Sequence, residues 1–264
     1  DGIKMPSTLI SGDEAVKVAV QRMTPALKSR LAEKWLHLTD NCYQSAIAFQ
    51  SRLLIDEANS LPSRYPFTAG TPPFSAPETP ASPPTSRATP RKSGSAAKSS
   101  APRNEPYALS VPTLPIGAPL RIQISCQGDR PLYPLVFAFD AMGGSFGYLP
   151  GSNQPLEPGT MQTLLQDSPW MLPGQKTTVN SYVLMSPQPW KQVREQWDMM
   201  QRQGSGKGGA AGMMPLENPV TLARAAINDL GAACALSLPG GDGGDRPLLD
   251  LRKWVTLRLS YRVV

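Results

Sequence analysis

Cys126 is the residue best placed by its type and surroundings to do chemistry. It stands in Ser125-Cys126-Gln127-Gly128-Asp129, at the end of an alternating apolar run and just before a Gly/Asp turn. A thiolate there could attack a carbonyl carbon, but a thiol near its ordinary pKa is weakly activated unless a base stands beside it. His37 is the one histidine in the chain. It falls in the last turn of an expected helix, where an imidazole meets the carbonyl ends, and it reads as structural. Cys126 then reads as a strand-end cysteine whose role is packing. Cys42 and Cys234 have less support still as nucleophiles. A metal site needs several nitrogen, sulfur or carboxylate ligands converging, and the chain has no Cys-x-x-Cys or His-x-x-x-His spacing. No catalytic residue, metal or cofactor is expected.

Two glycine-rich stretches imitate binding loops. Gly204-Ser205-Gly206-Lys207-Gly208 lacks two parts of a phosphate loop, because Gln201 stands where a glycine is needed and Gly208 where a Ser or Thr is needed. It also follows a helical pattern rather than a strand. Gly240-Gly241-Asp242-Gly243-Gly244-Asp245 matches the start of a calcium-binding nonapeptide, a site that works only when repeats stack, and none follow. Both read as loops. Two features could bind by contact instead. Trp190 and Trp197, with Met199 and Met200, could form an aromatic face, although such stripes more often pack against a core. Pro77, Pro80 and Pro83 form overlapping PxxP spacings that could dock an aromatic groove, against the plainer reading of an insertion loop.

The elements that would position these residues follow from periodicity. Asp13 is placed to cap a first helix with apolar Val16, Ala19, Val20 and Met23. Thr24-Pro25 restarts it, and Leu27, Leu31, Trp35 and Leu38 continue a stripe expected to cover a sheet. Ser45 to Ile55 reads as a strand. Leu120, Ile122 and Ile124 alternate with Arg121, Gln123 and Ser125; Leu132 to Asp140 is almost wholly apolar; Phe146 to Pro150 follows a Gly-Gly turn. These three runs predict an antiparallel meander whose first strand is half-buried and whose second is buried on both faces. Thr178 to Ser186 reads as a further strand with Val179, Ser181, Val183 and Met185 on one face. Helices are expected after Ser186-Pro187 and after Asn218-Pro219, and Trp254 to Val264 closes the chain as an alternating strand.

Composition bounds the rest. Across 264 residues the hydrophobic content is 40%, ordinary for a folded protein, whereas 29 prolines are about twice common usage. Leu, Ile and Val are missing between Leu61 and Leu109, where Ser, Thr, Ala and Pro dominate, so this stretch is expected to be a disordered linker. The net charge is +6. The linker carries six of the cationic residues (Arg64, Arg87, Arg91, Lys92, Lys98, Arg103) against Glu78 and Glu105. The remainder is therefore close to neutral, and neither a nucleic-acid groove nor nucleic acid as a partner is implied. No apolar run is long enough to span a bilayer, and no membrane partner is expected. Three separated cysteines suit a reducing, cytoplasmic setting. The chain opens Asp1-Gly2-Ile3-Lys4 without an initiator Met, and is read as part of a longer protein.

Several ordered segments resemble the region that follows the peptidase domain in bacterial caspase-like cysteine peptidases, the orthocaspase and metacaspase relatives. The first runs from Gly12 to Pro25 and continues from Leu31 to Asn41. The second is Thr113-Leu114-Pro115-Ile116-Gly117 with Arg121-Ile122-Gln123 and Asp129-Arg130-Pro131-Leu132-Tyr133. The third is Asn218-Pro219-Val220 to Leu230, followed by Trp254-Val255-Thr256-Leu257 and Tyr261-Arg262-Val263-Val264. After Asn41 the family usually continues Glu-Gly-Ser-Ser, where this chain has Cys42-Tyr43-Gln44-Ser45. The segment around Cys126 also looks like the nucleophile segment of caspases, Gln-Ala-Cys-Gln/Arg-Gly, but Ile124 stands where that pattern needs a glutamine, and the linker supplies no histidine about 50 residues upstream. The resemblance implies a β-rich accessory domain, with any peptidase activity in an upstream domain.

Together these readings predict an α+β fold, an antiparallel β-sandwich-like sheet covered by the N-terminal helix and two later helices, with a long disordered insert. The expected organisation is residues 1–61 (helix plus strand docking on the main sheet), 62–105 (linker) and 106–264 (β-rich accessory domain). The expected function is non-catalytic regulation or partner binding, the partner being the upstream peptidase domain or another protein. The alternatives are an adaptor working through the Pro-rich segment and a cysteine hydrolase using Cys126.

Overall fold

A computed structural model describes residues 16–42, 45–55, 67–69, 111–151, 154–203, 212–236 and 248–264. Period-two burial separates the strands into layers before any pairing is considered. Strand β1 (Phe49–Leu54) pairs with β2 (Phe67–Ala69) on one side and with β4 (Pro119–Cys126) on the other, and β4 in turn pairs with β7 (Met161–Leu164) and β8 (Trp170–Met171). In β4 buried and partly exposed residues alternate without exception, so this outer sheet buries one face. Strand β5 (Tyr133–Asp140) is buried at seven consecutive positions after Tyr133 and must lie between two layers. It pairs with β6 (Ser145–Tyr148) and β9 (Thr177–Ser186), and β9 with β13 (Val255–Val263). Strands β3 (Thr113–Leu114), parallel to the end of β13, and β10 (Met214–Pro215), beside β6, complete a central sheet. A small ribbon of β11 (Ala235–Leu236) and β12 (Leu248–Leu249) stands apart.

Three helices cover the far face: α1 (Val16–His37), α2 (Lys191–Gln203) and α3 (Pro219–Cys234). The central sheet therefore has two cores. Val136, Val183 and Met185 meet Ile122, Ile124 and Phe49 of the outer sheet, while Leu135, Phe137, Tyr182 and Leu184 meet Leu36, Trp197, Leu222 and Leu230 of the helices. The α+β sandwich with three covering helices is the architecture expected from the sequence. The closing strand also alternates as expected, with Val255, Leu257, Leu259, Tyr261 and Val263 all in the sandwich core.

Five local expectations are corrected. The three runs from Leu120 to Pro150 do not form one meander: β5 and β6 form a hairpin, but β4 belongs to the outer sheet and the chain from Gln127 to Leu132 crosses between layers. The buried face of β4 is laid against the central sheet from the outer layer, so β4 and β5 are in different sheets and do not pair. The N-terminal helix and strand likewise separate, α1 to the helix layer and β1 to the outer sheet. The first helix runs unbroken through Pro25, whose missing N–H is tolerated on an exposed face, with the Thr24 hydroxyl donating to the Val20 carbonyl at 2.7 Å. Strand β1 begins only at Phe49. Phe67–Ala69, placed in the linker by composition, is paired with β1. The rest of the linker, the cap at Asp13 and the glycine loops at 204–211 and 240–244 lie outside the described residues.

Asn41 holds the crossing from α1 to β1. Its Nδ2 donates to the carbonyls of Leu251 (2.8 Å) and Trp254 (2.9 Å), and its Oδ1 accepts the Thr256 N–H at 2.9 Å. A neighbouring strand would offer the same donor and acceptor to Trp254 and Thr256, so one carboxamide does the work of a strand at this end of β13. Ser45 Oγ also donates to the Trp254 carbonyl (2.8 Å), and Trp254 Nε1 donates to the Thr39 carbonyl (3.3 Å). Replacing Asn41 with Ala takes the acceptor from the buried Thr256 N–H and one donor each from the Leu251 carbonyl and from the Trp254 carbonyl, which keeps Ser45 Oγ. We predict a loss of about 2 kcal/mol of unfolding free energy in urea titrations, with Asn41→Asp no better because its carboxylate faces two carbonyls. A loss below about 1 kcal/mol would contradict this role.

Candidate functional site

Cys126 ends β4 opposite Phe49 of β1, and its side chain is buried in the core between the sheets. Its Sγ accepts the Gly128 N–H at 3.3 Å. Burial pushes the thiol pKa up, the Asp129 charge adds to this, and the Gly128 hydrogen bond offsets only part. The group is therefore a protonated thiol at neutral pH. His37 is exposed at the end of α1 on the helix layer, whereas Cys126 is sealed between the sheets. Cys234, in the last turn of α3, is also buried with its pKa raised to about 11, mainly by desolvation. None of the three cysteines is in a disulfide.

Trp190 and Trp197 are each only 2% exposed. The stripe they share with Val193 is turned onto the central sheet and α3. Trp190 Nε1 donates to the Tyr133 carbonyl at 2.9 Å, and Trp197 lies so close to β6 that a Cβ at Gly147 would come within 3.0 Å of it. The aromatic face read as a partner surface is therefore helix–sheet packing, and a partner could reach it only by opening the core. Pro77, Pro80 and Pro83 lie outside the described residues. Among the described residues no group of three or more His, Cys, Asp or Glu gathers in a way that could hold a metal ion.

Two carboxylates that the sequence does not single out are buried among the described residues, Asp140 and Asp229, and the second ties two helices together. Asp229 of α3 accepts the backbone N–H groups of Gln192 and Val193, both at 3.1 Å, in the first turn of α2. Ser186 was the expected start signal for that helix, but its hydroxyl accepts the Gln188 N–H in the preceding turn. The orphan amides of α2 are thus capped from another helix, which no local motif can encode. Asn218, at the head of α3, makes no side-chain cap, and Pro219 alone marks the start.

Helix α1 carries the largest departure from expectation. Its core-facing residues are Ser29, Ala32 and Leu36, not the stripe of larger side chains. The reason is close approach to the β5–β6 turn. A Cβ at Gly143, whose φ is +95°, would lie 2.8 Å from the Ala26 Cβ, and Arg30 donates to the Ala141 carbonyl at 3.1 Å. Small residues allow that contact, so the branched ones face outward: Val16 is 79% exposed, Val20 50%, Leu27 49%, Leu31 44% and Leu38 83%. Glu33, the one acid of α1, turns toward the sheet and accepts from Asn180 Nδ2 (2.6 Å) and from Arg30 (2.8 Å). Arg224 of α3 stacks over Trp35 at 5.4 Å.

No protein-family model, curated protein or solved structure matches this chain.

Asp229 yields a pH prediction. Desolvation raises its pKa above the ordinary 3.8, outweighing the two amide bonds that lower it. The folded state then holds this proton more tightly than the unfolded state. Its contribution to stability is full below 3.8 and declines as pH rises through the raised native value. Urea unfolding of wild type and Asp229→Asn, compared from about pH 3 to pH 7, should show wild type losing ground as pH rises across that window and a constant gap above it. A gap that moves in wild type's favour with rising pH would contradict the assignment.

Proposed function

We propose that this chain is a non-catalytic accessory domain that works by contact with another protein, in the setting of a bacterial caspase-like cysteine peptidase whose catalytic domain lies upstream. The burial of Cys126 carries this reading. A nucleophile must reach its substrate as a thiolate, and this sulfur is sealed between two sheets with its pKa pushed up. The resemblance noted in the sequence supplies the setting. Two of the segments that carry it, the one ending at Asn41 and the one opening at Trp254, meet in the Asn41 hydrogen-bond set. Partner binding is supported by the outward apolar residues of α1, which are exposed among the described residues.

A cytoplasmic setting fits three cysteines held as thiols. Among the described residues no helix is long and apolar enough to cross a membrane. A cysteine-directed electrophilic peptidase probe tests the central point. The native chain should show no Cys126 adduct until denaturant is added, and Cys126→Ala should leave any trace peptide hydrolysis unchanged. Probe capture at Cys126 in the folded protein, with turnover lost in Cys126→Ala, would reinstate the hydrolase reading.

A further inference from the structure

The outward face of α1 is ordered, not merely apolar. Val16, Leu27 and Leu38 are spaced by eleven residues, as are Val20 and Leu31, and Met23 and Lys34. Leu38 continues the helical path, since its N–H donates to the Lys34 carbonyl at 3.3 Å. Eleven residues make three turns plus about 20° in an ordinary α-helix, so these positions stay close to one line along it. The result is a straight seam along a helix of 22 residues, about 33 Å long. Lys17 and Lys28, also eleven apart, follow one border of the seam, and Arg30 and His37 follow the other. With Glu33 turned inward against Asn180 and Arg30, no carboxylate of α1 lies on this surface.

We infer that this seam docks an amphipathic helix of a different protein, one with apolar residues in the same register and Asp or Glu along its flanks. The inference rests on the contact reading above and names the site and the chemistry of the partner. A seam about one side chain wide, with Lys34 within it, has the proportions of a helix–helix contact. A helix lying in a bilayer surface presents a broader apolar face, commonly with Trp or Phe, and this seam has neither. A second copy of α1 would set its lysine row against cationic borders with no acid of the helix on that face to relieve them. Acidic flanks on the partner supply the complement, as charged borders do in paired helices.

The test uses the full chain and two synthetic helical peptides that share one apolar 11-residue register, one flanked by Glu and the other by Lys. The Glu-flanked peptide should bind saturably, weaken about tenfold or more in Leu27→Glu/Leu31→Glu, and weaken as salt rises. The Lys-flanked peptide should not bind. Val20→Glu, at the other end of the seam, is the second variant, and both should keep the wild-type urea midpoint because the altered positions face solvent. Four results would overturn the inference: equal binding of both peptides or of neither; seam-dependent binding to anionic phosphatidylserine vesicles in place of the peptide; self-association abolished by Val20→Glu; or a large fall in midpoint in both variants, which would mean that the chain itself covers this face. Cys126-dependent turnover would sink the non-catalytic reading and leave the peptide result standing. A turnover-free chain that ignores the Glu-flanked peptide sinks the seam alone.

Discussion

The structure depends on a sheet that is covered on both sides by a chain that must change sides. Helix α1 lies on one face of the central sheet and β1 belongs to the layer on the other, only a short connection later. That connection passes the end of β13, where the backbone of Trp254 and Thr256 would otherwise present an open edge. Asn41 closes it with a single side chain, and Ser45 and Thr39 add bonds on either side. Thr39 Oγ1 donates to the Leu36 carbonyl at 2.7 Å and lies 3.1 Å from Thr256 Oγ1, so the last turn of α1 is tied to the same strand. An open edge in a buried place is costly, and closing it with a carboxamide fixes the positions of both layers together.

The same two-sided burial explains what the sequence made legible. Every strand with a clear period of two was found, and its inward residues were named correctly where both faces had chemically distinct partners, as in β9 and β13. The contrast between half-buried β4 and fully buried β5 was visible in the residues themselves. That contrast does not by itself assign a sheet, since half-buried β6 pairs with β5, and the Gly/Asp turn at Gln127–Arg130 reads like a hairpin when only neighbours are considered. Pairing is a property of layers, and turn chemistry is local.

Helix α1 and the cap on α2 failed to show for a related reason. The rule that the apolar face of a helix is its buried face assumes contact through large side chains. Here the contact is made by Ala26 and Ser29 against a glycine turn, so the larger side chains are left on the outside. Asp229 stands mid-helix in α3, where an aspartate reads as solvent-facing, and its role exists only because α2 ends against it. The tryptophans follow the commoner use of such a stripe: they pack in the core, and Trp190 gives its one side-chain donor to the Tyr133 carbonyl.

Hydrogen exchange at the Thr256 amide tests the central constraint most directly. If Asn41 closes the edge of β13, this amide should exchange about as slowly as the buried ladder of β9 and β13, requiring global unfolding, and Asn41→Ala should accelerate it sharply. Exchange at the rate of an exposed edge amide in the wild-type protein, or no change in Asn41→Ala, would contradict the account.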